Sequence, residues 1–296
     1  MTSKRQRRRR WFEPIGWLTA ALAILGTLGF APALAAQGDT PLLRLYVLTC
    51  GYNHVDDVSV YSPGVDVGVS KDFVVSCYVI KHERGILLWG TGLNDGLIDK
   101  PEGITAANGN FHLSIKRTLR SQLAKLGIEP EDVTYVSMSH MHPDHSGNGN
   151  LFTASTLILQ EEEYDAAFGD EPQRYAFNPA FYGKLKDSKT IRLKGDHDVF
   201  GDGRVIVKRA IGHTPGHQCL FIDFHKMGPV LLSGDLWHFM KNRVHRRVPK
   251  FNFDKEATLR SMEEIERFAA ERGANIWIEH DAEFNAAIPH APAYHE

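Results

Sequence analysis

The sequence predicts an α/β fold, an αββα sandwich in a single domain, and three observations point there. Two successive series of mainly strand-like segments are each closed by a helical segment. No internal repeat with a period of about 20 to 50 residues is detectable. No linker separates two halves. The composition suits such a body. Of 296 residues, 43% are hydrophobic and 24% charged, ordinary for a globular chain able to bury one large core.

In the first series, PLLRLYVLTCG (41–51) is an apolar, β-rich run that reads as a strand. The polar stretch 51–72, rich in Gly, Asp, Ser and Pro, reads as a loop beside a site. DFVVSCYVIKHERGILLWGTG (72–92) predicts two strands turning at His82-Glu83-Arg84-Gly85. SIKRTLRSQLAKLGI (114–128) carries leucine and isoleucine at helical spacing, with Gly127 as its stop. VTYVSMS (133–139) and TLILQ (156–160) are strands, and EEEYDAAF (161–168) is a helix. In the second series, 203–212, 217–224 and 229–235 are strands. Residues 254–273 form an amphipathic helix between the N-cap Asp254 and Gly273, and NIWIEHD (275–281) is a last strand.

Residues 1–36 stand apart from this body. KRQRRRR (4–10) is a basic start, residues 15–30 are mostly apolar, and Ala33-Leu34-Ala35 fits a small-x-small cleavage site. That order predicts a signal peptide and an exported, periplasmic or secreted protein of residues 37–296. Once the signal is cleaved, no stable membrane insertion is expected; the alternative is an uncleaved anchor helix. Arg9-Arg10-Trp11-Phe12 resembles a twin-arginine export signal without its polar lead residue. The mature chain keeps 28 basic and 35 acidic residues, a formal charge of −7 where the whole chain shows −2. An acidic body argues against nucleic acid as a partner. Cys50, Cys77 and Cys219 cannot all pair within one chain, although one bridge is compatible with export. Dimerisation is left open.

The chemistry concentrates at strand ends. SHMHPDHSGN (139–148) follows the strand 133–139 and holds His140, His142, Asp144 and His145. GHTPGH (212–217) ends on His217, PVLLSGD (229–235) on Asp235, and the last strand reaches His280. Imidazole and carboxylate ligands suit zinc and similar divalent ions. Two such ions against two aspartates and a bridging hydroxide leave the site slightly positive, able to polarise a carbonyl.

HMHPDH resembles the HxHxDH signature of the metallo-β-lactamase superfamily, with His217, Asp235 and His280 in its later ligand positions. LGIEPEDVTYVSMSHMHPDHSGN and GHTPGHQ are similar to its quorum-quenching branch, the N-acyl homoserine lactonases. The resemblance covers roughly residues 41 to 285. It implies the metallo-β-lactamase fold and two divalent ions, zinc expected. His140, His142 and His217 would hold one ion, Asp144, His145 and His280 the other, with Asp235 bridging. It also implies a lactone substrate, opened by a hydroxide bridging the two metals, with Asp144 handling the proton.

Two positions depart from the family pattern. Gly90 stands where the superfamily usually has the aspartate of Asp-Thr-Gly, and His238 where lactonases often have a tyrosine aimed at the substrate carbonyl. His238 is kept as a catalytic, substrate-contacting candidate. His213 reads as a structural hydrogen-bonder and Cys219 as core. The basic run 241–250 reads as a solvated loop, while Trp237, Phe239 and Met240 either line an acyl pocket or pack. Only 45 residues separate Asp235 from His280, which excludes the RNA-processing members, and 16 follow His280, which argues against glyoxalase II-like thioesterases. The alternatives are an exported metallo-β-lactamase or broad esterase of the same fold, and a non-catalytic metal-binding envelope protein.

Overall fold

A computed structural model describes residues 42–296, so the predicted signal lies outside the described residues. Eight strands form the first sheet: β1 (Leu43–Val55), β2 (Lys71–His82), β3 (Gly85–Trp89), β4 (Ile104–Ala106), β5 (Phe111–Ser114), β6 (Tyr135–Ser137), β7 (Thr156–Gln160) and β8 (Thr190–Leu193). Their order is β4-β5-β1-β2-β3-β6-β7-β8. The second sheet holds β9 (His197–Asp198), β10 (Val205–Arg209), β11 (Gln218–Phe224), β12 (Gly228–Leu232) and β13 (Asn275–Trp277), ordered β13-β12-β11-β10-β9.

The strands are apolar on both faces because both faces are covered. Along β1 and β2, Leu45, Val47, Tyr78 and Ile80 point inward to meet Val205, Val207, Leu220 and Ile222 of the second sheet. Their neighbours Tyr46, Leu48, Val75, Cys77 and Val79 point outward, beneath a helical layer that includes Leu119, Leu123 and Ala167. The far face of the second sheet is closed by the helix Lys255–Arg272, whose Met262 and Ile265 pack near Cys219 and Leu231. Asp254 caps that helix by accepting from Ala257 N–H, and Gly273 ends it in the left-handed region. This is the αββα order.

Three local expectations change. β1 runs on to Val55, past the start of the expected loop, because β2 and β5 pair with it on either side. Within 114–128 only Leu119–Lys125 is α-helical; Ser114 ends β5, and Thr118 caps the helix by accepting from Ser121 N–H. Met240–His245 is a helix rather than a loop. Its buried Asn242 amide donates to Tyr61 O and Ser62 Oγ, and Arg243 pairs with Glu266. Trp237 packs beside Leu236 and Val248, and Phe239 against Tyr61 and Phe73, while Met240 is half-exposed.

Cys50 and Cys77 form a disulfide between β1 and β2, and Cys219 is buried and free. Among the described residues, no helix is long and apolar enough to cross a membrane.

Candidate metal centre

Strand register brings the distant ligands to one edge. β12 and β13 are parallel, with Leu232 opposite Trp277, so three residues further on both chains deliver a side chain to the same place: Asp235 and His280. β6 lies parallel between β3 and β7, and the loop after it carries His140 to His145. Gln218 N–H donates to Ser139 O at 2.9 Å, tying that loop to the start of β11. Gly234 lets the two sheets meet here. Its φ is +52°, and a Cβ would lie 2.7 Å from His217 Nε2, so only glycine fits.

Two ligand sets converge. Donor atoms of His140, His142, His213 and Asp235 lie within 4.8 Å of one another, and so do those of Asp144, His145 and His280. Asp235 joins the sets. Its Oδ2 is 3.3 Å from His213 Nε2, and its Oδ1 is 3.0 Å from His280 Nε2 and 3.1 Å from His145 Nε2.

Each imidazole is aimed by what its other nitrogen binds. His280 Nδ1–H donates to Val74 O at 2.7 Å, and His142 Nε2–H to Tyr175 O at 3.1 Å. Ser139 Oγ lies 3.0 Å from His140 Nδ1 and 3.2 Å from His145 Nδ1. The free nitrogens therefore face one another: His140 Nε2 is 2.8 Å from His142 Nδ1, and His145 Nε2 is 3.1 Å from His280 Nε2. Two unprotonated imidazole nitrogens cannot satisfy one another's lone pairs at such distances, and Asp235 Oδ1 has no hydrogen-bond donor either. A divalent cation in each set would satisfy these groups, so the residues fit the expected ions.

The electrostatics agree. Burial, with His213 next, pushes His142 down to about 3, and burial with His145 holds His140 well below its usual range. Burial also opposes charge on His280, yet Asp235 and Asp144 outweigh it and push that group up to about 10. The centre is built to hold positive charge beside its carboxylates.

His217 lies outside both clustered ligand sets. Its Nδ1–H donates to Ala210 O at 2.9 Å and its Nε2 accepts from Asp235 N–H at 3.0 Å, so both nitrogens are engaged by backbone. His213, expected to be structural, stands in its place in the first set. His238 also differs from expectation. Its Nε2 lies 3.0 Å from Asp235 Oδ2, which accepts a hydrogen bond from the N–H of the neutral ring, and burial holds the group down to about 4. Its Nδ1 is then a lone pair without a partner, and the ring packs 4.4 Å from Tyr61.

Above the centre opens a cavity of about 910 Å³ lined by Tyr61, Phe73, Phe111, Tyr175, Phe251 and Phe253, with His142, Asp144, His213, Asp235, His238 and His280 among its polar residues. Sequence reasoning missed Tyr61, Phe111 and Glu279; no motif marks them.

An αββα sandwich with two joined His/Asp ligand sets at one edge defines a class of metal-binding hydrolase folds. The chain belongs to the metallo-beta-lactamase superfamily, whose family profile matches residues 70–272. It is 30% identical over 259 residues to an N-acyl homoserine lactonase of a Bacillus species, covering 85% of this chain and 98% of the relative. The N-acyl homoserine lactonase AttM of Azorhizobium caulinodans is 28% identical over 266 residues, with 86% and 99% covered. Among solved structures, an N-acyl homoserine lactone hydrolase with N-hexanoyl-L-homoserine bound at its catalytic metal centre superposes with a TM-score of 0.75. It is 27% identical, over 86% of this chain and all of that one.

Proposed function

We propose that this protein is an exported hydrolase that opens the ring of N-acyl homoserine lactones with two divalent ions. The observation that carries the reading is the pair of joined ligand sets lying beneath an aromatic-walled cavity. The lactonase relatives support the substrate class. His140, His142, His213 and Asp235 would hold one ion, and Asp144, His145, His280 and Asp235 the other. Ligands that are all imidazole and carboxylate favour zinc. Bound there, the ions supply Lewis-acid polarisation and lower the pKa of water.

The chain's own residues do the rest. Asp144 is half-buried and opens onto the cavity, with Oδ2 3.6 Å from His280 Nε2. It takes the proton of the attacking water and returns it to the alkoxide released as the ring C–O bond breaks. The aromatic wall receives the acyl chain and excludes water from the reacting carbonyl. Tyr61, against His238 on that wall, offers the phenol proton that His238 lacks.

Export is supported by the N-terminal pattern and by the Cys50–Cys77 bridge, a bond favoured in oxidising compartments. N-terminal sequencing of protein from fractionated cells should begin just after Ala35 or Ala36. The activity test is a panel on the purified mature protein: homoserine lactones of several chain lengths, aryl esters and a β-lactam, with and without chelator. Chelator-sensitive lactone opening well above the other reactions is expected. Faster β-lactam cleavage, or full metal occupancy with no turnover, overturns the reading.

A further inference from the structure

Glu279 is a buried carboxylate that the chemistry above leaves unused. It is 1% exposed and precedes the ligand His280. Its Oε1 accepts from the Trp89 indole N–H at 2.8 Å and from Gly234 N–H at 3.2 Å. Its Oε2 lies 3.9 Å from Nδ1 of His145, on the side of that ring turned away from the ligand set. Trp89 is itself fully buried and adjoins Gly90, the position that lacks the superfamily's usual aspartate.

We propose that Glu279 replaces the carboxylate missing at position 90, as a positioning residue that holds His145 with Nε2 toward His280 and Asp235. The proposal rests on the two-ion reading. Three observations carry it. A carboxylate buried among apolar strands persists only when donors or positive charge compensate it. The two donors on Oε1 account for one oxygen, and the other faces Nδ1 of His145, a ligand histidine whose outer nitrogen has only Ser139 Oγ as a hydrogen-bond partner. The charge balance would agree: two divalent ions against Asp144, Asp235 and one hydroxide would leave a single positive charge, which an ionised Glu279 behind His145 would offset. Such outer partners fix ring orientation and strengthen the ligand.

Position 90 can take the group back. Gly90 has φ +76°, a region aspartate enters more readily than most residues, and a Cβ there meets nothing closer than Ser76 O at 3.5 Å. The test is zinc titration of metal-free protein against a chromophoric chelator, alongside thermal melting of the same metal-free samples. Glu279→Gln keeps an oxygen for Trp89 and Gly234 and removes only the charge. It should weaken the more loosely held ion by roughly 10- to 100-fold while the metal-free melting temperature stays near wild type. Gly90→Asp combined with Glu279→Gln should regain most of that affinity. Wild-type affinity for both ions in Glu279→Gln, or a double variant no better than the single one, overturns the proposal and leaves Glu279 an acceptor for Trp89. Wild-type protein that binds fewer than two ions removes the two-ion reading instead.

Discussion

The backbone N–H of Asp235 donates to Nε2 of His217 at 3.0 Å, and this bond decides which histidine of GHTPGH faces the centre. His217 becomes a fixed acceptor beneath Asp235, which leaves Asp235's carboxylate free to reach both ligand sets. His213→Ala should therefore lose about one equivalent of metal by elemental analysis, with little change in metal-free stability. His217→Ala strands a buried N–H and a buried carbonyl, and should cost about 2–4 kcal/mol in denaturant unfolding. If His217→Ala loses the metal and His213→Ala keeps it, the exchange of roles is wrong.

Asp144 separates holding metal from moving a proton. Asp144→Asn keeps a ligating oxygen but cannot carry a proton, so kcat should fall roughly 100-fold or more at nearly unchanged metal content. Activity within about threefold of wild type would remove Asp144 from proton transfer.

Tyr61 and His238 offer a second contrast. The ring of His238 is neutral with its proton directed at Asp235, whereas Tyr61 lines the cavity with a phenol that burial holds protonated, far above its usual range. Tyr61→Phe should lower kcat about 100-fold with metal retained, the loss of one donor at a developing oxyanion. His238→Gln should cost less. A larger loss in His238→Gln returns the donor role to His238.

What could be read from the chain was what local pattern specifies. His140, His142, Asp144, His145, Asp235 and His280 each follow shortly after a strand whose apolar run is plain, so strand register brings these segments to one edge. The choice between His213 and His217 could not be read. Both are histidines of one turn, and only the partners of His217, Ala210 O and Asp235 N, tell them apart. The helix Met240–His245 was hidden for a similar reason. Its basic sequence looks solvated, and its place depends on Asn242 reaching back to Tyr61 and Ser62. Glu279 carries no motif, because its meaning comes from a tryptophan 190 positions away.

The Cys50–Cys77 bridge closes 27 residues spanning the turn from β1 to β2. The chain-entropy relation gives such a loop about 3–4 kcal/mol. Reduction, verified by thiol labelling and mass spectrometry, should lower unfolding stability by an amount of that order. Unchanged stability in fully reduced protein would show that sheet pairing alone fixes these strands.

Glu163 should make the fold sensitive to pH. Its Oε1 accepts from Met141 N–H and its Oε2 from Thr214 Oγ–H and Gly216 N–H, each at 2.8 Å, clamping the two ligand loops together. Burial outweighs these donors and pushes the carboxyl up to about 7 from 4.5. A carboxyl with a raised folded pKa is matched with the unfolded chain only while both are protonated. Its contribution is therefore full below pH 4.5, falls as the unfolded chain ionises, and is lost by about pH 7. A shift of this size corresponds to about 3 kcal/mol across that window. Glu163→Gln faces an amide toward Gly216 N–H and should be less stable at pH 5 by about 1–3 kcal/mol. It has no proton to lose, so the gap to wild type should close or reverse by pH 7. Urea unfolding of the metal-free proteins between pH 5 and 8 measures this, and parallel pH profiles for the two would show that Glu163 is ionised throughout.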